Sequence, residues 1–75
     1  MKKELATLIT KEMLDCVAKI NQSIVTVQDH GTTEDFERYR AAAAKVMASL
    51  YLDVLEPIYR EHPDLEPEEL KGRKD

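Results

Sequence analysis

The sequence predicts an all-α protein: an antiparallel helical hairpin of two long helices, the second kinked near Pro57, with a short C-terminal turn or tail. Three observations carry that expectation. Apolar residues recur at three- and four-residue spacing in both halves of the chain. A single short junction, "QDHGTTEDF", separates the halves. Only one brief stretch, "SIVTV" at 23–27, has the β-branched alternation of a strand.

The first helix is read from "KELATLITKEMLDCVAKINQSIVTVQ". At about 100° per residue, Leu5, Ile9, Met13, Cys16, Val17, Ile20, Ile24 and Val27 fall in an arc of about 120°, with Lys11, Asp15 and Gln22 opposite. Residues 23–27 are assigned to the helix because Ile20, Ile24 and Val27 continue that stripe without a change of phase. The stripe places Cys16 in the core as an inert thiol.

The junction then carries its own signals. Gly31 suits the left-handed conformation that often comes after a helix end. Thr32 and Asp35 have the spacing of a capping box, with Asp in place of the usual Glu or Gln. Glu34 and Asp35 complement the positive end of a helix dipole. A connection this short makes the two helices antiparallel neighbours.

The second helix is expected from about Thr33 to about Glu61. Its first half offers a narrow stripe, Phe36, Tyr39 and Ala43, beside the run "AAAA" at 41–44. From Val46 onward the apolar arc widens to about 240°, taking in Met47, Leu50, Tyr51, Leu52, Val54, Leu55, Ile58 and Tyr59. One antiparallel neighbour covers only part of such an arc. The sequence therefore predicts a homodimer, two hairpins forming a four-helix bundle, with Met47, Leu50, Tyr51, Leu52, Leu55 and Tyr59 at the interface.

Pro57 has no N–H for the carbonyl of Asp53, and its ring crowds that turn. It also disfavours helical angles at Glu56. Two outcomes are open: a kink at 53–57, or a stop and a restart with Pro57 in the first turn of a new helix. The kink is favoured because Val54, Leu55, Ile58 and Tyr59 keep helical phase across it. Asp53 falls on a polar wedge with Ser49, Glu56 and Arg60, which reads as a solvated face. If the chain has a partner-binding site, the candidates are Asp53, Glu56, Tyr59 and Arg60. Pro63 ends the helix, "PEEL" from Pro67 starts one further turn, and Leu65 and Leu70 fold back on the bundle. One domain spans residues 1–70, and residues 71–75 fray.

Composition narrows the function. Seventy-five residues with one cysteine allow a single domain and no intrachain disulfide, which points to a reducing cytoplasm. Fifteen acids against eleven bases, a net charge of −4, argue against a protein that works by covering phosphates, so no nucleic-acid partner is expected. No apolar run approaches the roughly 20 residues of a membrane span. His30 and His62 lack an acid three residues before them, as di-iron helices require. There is no Cys-x-x-Cys, His-Glu-x-x-His or phosphate-binding loop, and no metal or cofactor is expected. The acidic group Asp64, Glu66, Glu68 and Glu69 lacks calcium-loop spacing.

The leading expectation is a small non-enzymatic interaction or regulatory protein acting as a homodimer. The alternative is an enzyme or metal protein whose site forms at the dimer interface from Asp53 and Glu56 with Tyr59 or His62. A third class, a DNA-binding regulator, rests only on Arg38, Arg40 and Lys45.

Overall fold

The computed structural model describes residues 1–67, and among them every regular element is helical. Helix α1 spans Lys3–His30, α2 spans Thr33–Ser49, a π-helical segment spans Leu50–Leu55, α3 spans Glu56–Glu61, and a 3-10 turn spans Pro63–Leu65. Residues 23–27 are helical, as the unbroken stripe requires. The expected turn through Leu70, the fold-back of Leu70, the domain limit at 70 and the frayed 71–75 lie outside the described residues.

The junction is built by the residues that signalled it, with one change of mechanism. Thr32 Oγ1 accepts from the Asp35 N–H at 3.0 Å, and Asp35 Oδ2 accepts from the Thr32 N–H at 3.2 Å. Two of the unpaired N–H groups at the start of α2 are thereby satisfied. Gly31 does not take the left-handed conformation. Its φ of −105° and ψ of −178° are extended, open to any residue. Space favours glycine there: a Cβ would stand 3.0 Å from the Val27 carbonyl oxygen and 3.2 Å from both Asp35 Cβ and Oδ2, tighter than ordinary van der Waals contact. That closeness lets the Gly31 N–H donate to Val27 O at 2.7 Å while the cap forms alongside.

Helix α1 packs along a slightly different line from the expected stripe. Ala6 and Thr10 are buried, and Met13, Val17, Ile20, Ile24 and Val27 are half-buried. These positions alternate in steps of four and three, the heptad spacing of a packed helical seam. Leu5 and Cys16 sit one residue before seam positions and are exposed, so Cys16 is not the core thiol the sequence implied.

Pro57 neither stops the chain nor leaves it an ordinary α-helix. Ser49, Leu50, Leu55 and Glu56 all have right-handed helical angles, so the helical path continues, even at the residue before the proline. The turn ahead of it has widened instead. The Glu56 N–H reaches back to the Tyr51 carbonyl, an i→i+5 bond. Carried one residue further, the same pattern aims the Leu52 carbonyl, and no longer that of Asp53, at the N–H that Pro57 lacks.

The wider turn takes in an extra residue and rotates the helix beyond it. From Ala43, a regular helix at about 100° per residue would carry Val54 to about 20° and Leu55 to about 120°. Yet Ala43 and Leu55 are buried, Leu55 completely, while Val54 is 39% exposed. Downstream, Ile58 and Tyr59 are buried with Leu55, and His62 is half-buried. The seam has slipped by about one residue.

His62, with φ −132° and ψ 76°, leaves the helical region as a residue before proline tends to, and the 3-10 turn comes next. Leu65 in that turn is half-buried. The segment is fastened to the start of α1. The Met1 amino group is 2.9 Å from Glu61 Oε1, Lys3 pairs with Asp64, and His62 Nε2 donates to the Met1 carbonyl at 2.9 Å.

Candidate interaction surface

The polar wedge around Pro57 lies on the surface. Asp53, Glu56 and Arg60 are exposed, and Arg60 Nη2 is 3.2 Å from Glu56 Oε1. An exposed i, i+4 pair of this kind contributes about 0.3–0.5 kcal/mol and leaves both groups accessible. Tyr59, the fourth candidate, faces the other way. It is 7% exposed, and its hydroxyl is buried without a hydrogen-bond partner. Burial first, then the neighbouring Tyr51 and Glu66, push its phenol above the ordinary tyrosine range. The structure pairs Glu56 with Arg60, leaves Asp53 exposed and places Tyr59 in the core.

The six residues expected between subunits divide in the same way. Leu52 is 60% exposed, Met47, Leu50 and Tyr51 are half-buried, and Leu55 and Tyr59 are enclosed within the chain. Other apolar side chains are exposed as well: Leu5, Val46 and Val54, which the sequence placed within its apolar arcs, and Leu8, which it passed over. Leu8 had a signal, being a leucine outside the apolar arc of α1. Val54 had none, because its exposure comes from the π-helical slip.

The other reactive candidates are scattered. His30 is exposed at the end of α1, and His62 is held by the Met1 carbonyl. Among the described residues no three His, Cys, Asp or Glu side chains gather closely enough to hold a metal. No described helix is long and apolar enough to cross a membrane. Arg38 reaches Glu34 at 3.9 Å and Arg40 lies 5.7 Å from the centre of the Phe36 ring, so both touch neighbours on their own helix.

A feature the sequence did not signal lies near the junction. An open hollow of about 590 Å³ is lined by Thr26, Val27, His30, Gly31, Asp35, Arg38, Tyr39 and Ala42. One of the lining side chains, Tyr39, is held by Ser23. The Ser23 hydroxyl donates to the Ile20 carbonyl at 2.6 Å, so the Tyr39 hydroxyl, 2.7 Å away, donates to Ser23 Oγ. Nearby on α1 the seam residues Ile20, Ile24 and Val27 are half-buried, and α2 carries alanines at 41–44. The fully buried side chains are Ala6, Thr10, Ala43, Leu55, Ile58 and Tyr59, so one alanine of the run is enclosed as well.

Comparison of the chain with protein families, with curated proteins and with solved structures finds no match in any of the three, so the reading of this surface rests on its own geometry.

Proposed function

We propose that the chain is a small non-enzymatic interaction protein that works as a homodimer of antiparallel helical hairpins, forming a four-helix bundle. Each hairpin bends its second arm at the π-helical segment. The observation that carries the proposal is the half-buried heptad seam. Met13, Val17, Ile20, Ile24 and Val27 each keep part of their surface uncovered although they occupy the positions a bundle normally encloses. Leu5, Leu8, Val46 and Leu52, each 49–60% exposed, add apolar surface that a single small chain has little means to cover. Asp53, Glu56 and Arg60 remain outside the seam and are the charged surface offered to another protein. The single cysteine, free and exposed, fits a reducing cytoplasm. Neither a nucleic acid nor a membrane is a partner in this proposal.

Light scattering after size exclusion, at chain concentrations on the order of 10 μM, is the test of assembly. Twice the chain mass of 8.6 kDa is the expected result. A monomer that melts cooperatively at that concentration overturns the dimer. Capture of a protein by the wild-type chain, and its loss with the double variant Asp53→Lys, Arg60→Glu, is expected if the charged wedge is the docking surface.

A further inference from the structure

The segment that follows α3 is fastened by polar contacts at the surface. Helix α3 ends at Glu61, and the chain then leaves the helical path at His62 and makes the 3-10 turn Pro63–Leu65. Three contacts tie this stretch to the start of α1: the Met1 amino group to Glu61, Lys3 to Asp64, and His62 Nε2 to the Met1 carbonyl. The groups in the two ion pairs keep between 34% and 60% of their surface in water. Pairs that exposed contribute little to stability and are screened by salt. Apolar anchorage is also slight, because Leu65 is the one large aliphatic residue of 62–66 and it is half-buried.

Tyr59 gains nothing polar from this closed arrangement. It is 7% exposed, and its hydroxyl is buried without a hydrogen-bond partner. Water would satisfy that hydroxyl, and burial denies it. The segment starts directly from the helix that carries Tyr59, with the His62 N–H donating to the Ile58 carbonyl at 2.8 Å. Glu66 at its far end is near enough for its charge to help raise the Tyr59 phenol, after burial itself and Tyr51. Weak surface links thus hold a segment beside an unsatisfied interior group, which is the character of the first parts of a fold to open. We propose that residues 62–66 form a strap that lifts from the start of α1 as a unit, with the helices intact, and that lifting it opens the Tyr59 hydroxyl to water. Ionic strength and the charges at Lys3 and Asp64 set how often the strap lifts. Its opening converts Tyr59 from a core residue into an accessible donor on the turn of α3 that also carries Glu56 and Arg60. The strap is a property of the single chain and does not depend on the homodimer.

The test uses the full-length chain with Tyr39→Phe and Tyr51→Phe, which leave Tyr59 as the one phenol. Acrylamide quenching of tyrosine fluorescence reads access to Tyr59, and circular dichroism reads the helices, at one chain concentration throughout. Added salt is expected to increase quenching while helicity is unchanged. Lys3→Glu, which sets two acids against each other, is expected to raise the quenching constant about threefold at low salt, and Lys3→Glu with Asp64→Lys to restore it. Lys11→Glu, the same change of charge further along α1, is expected to leave quenching as it was. Quenching that responds to neither salt nor Lys3→Glu overturns the strap. So does a rise that comes with lost helicity, that Lys11→Glu reproduces, or that the charge exchange fails to reverse. Should the phenylalanine substitutions themselves reduce helicity, broadening of the Tyr59 ring signals by a soluble paramagnetic agent replaces quenching in the unsubstituted chain, with the same expectations.

Discussion

The π-helical slip is open to direct energetic test, because it exchanges the roles of two adjacent side chains. Among the described residues Leu55 is the one large side chain with no exposed surface, and Val54 beside it is 39% exposed. Truncating an enclosed leucine to alanine costs about 2–5 kcal/mol, from lost transfer energy and the cavity left behind. For Val54→Ala, two methyl groups at about 0.8 kcal/mol each, scaled by burial of roughly 60%, amount to about 1 kcal/mol. About half of that is returned by the higher helix propensity of alanine. Leu55→Ala is therefore expected to cost about 3 kcal/mol and Val54→Ala about 0.5. For a chain of this length, total stability of about 4–11 kcal/mol makes the first a severe loss and the second a minor one. With a urea slope of about 1 kcal/mol/M, the midpoints should fall by about 3 M and by about 0.5 M. Chain concentration is held constant, since assembly contributes to apparent stability. An uninterrupted α-helical register would bury Val54 in place of Leu55. Equal losses, or a larger loss for Val54→Ala, would refute the slip.

Two further substitutions test the ends of the seam. Thr10 is 5% exposed and its hydroxyl is buried without a partner, so Thr10→Val, which keeps the shape and removes the polar atom, is expected to raise stability by about 1 kcal/mol; a loss in urea melts would mean that the hydroxyl is satisfied. Gly31→Ala must displace either the Val27 carbonyl or the Asp35 cap, so a net loss of about 1 kcal/mol is expected after the smaller gain from a stiffer unfolded chain; a rise in melting temperature would show that the close approach imposes no strain.

What could be read from the sequence depends on the range of the interactions involved. The capping box needs only Thr32, Asp35 and the backbone between them, and it forms as the spacing implies. The placement of residues 23–27 in α1 is also legible, because Ile20, Ile24 and Val27 hold one phase through the β-branched stretch. Gly31 is legible as the junction but not in its reason, since the Val27 carbonyl and the Asp35 side chain that crowd a Cβ meet there only once α2 is capped. In the candidate site, the helical wheel places Asp53, Glu56 and Arg60 outside correctly. It misplaces the surroundings of Val54, because a wheel assumes a constant angle per residue and a π-helical turn breaks that assumption. Cys16 is misplaced for a smaller reason: a stripe about 120° wide does not say which of its edges faces the neighbour.

Pro57 connects the slip to the surface around it. In an unwidened helix the proline leaves the Asp53 carbonyl without a donor and forces its ring against that turn, a combination that costs about 3 kcal/mol. The wider turn has a consequence for the core. By turning Leu55, Ile58 and Tyr59 inward together, it closes the core at the end where Ala6 and Thr10 leave room, and it leaves Val54 and Leu52 outside. The closed end is then held by Glu61, His62 and Asp64 against Met1 and Lys3. Interactions within the chain thus complete the half of the molecule that contains the proline. The alanine half has no equivalent device: among the described residues, its one polar side-chain link between α1 and α2 is the bond between Ser23 and Tyr39.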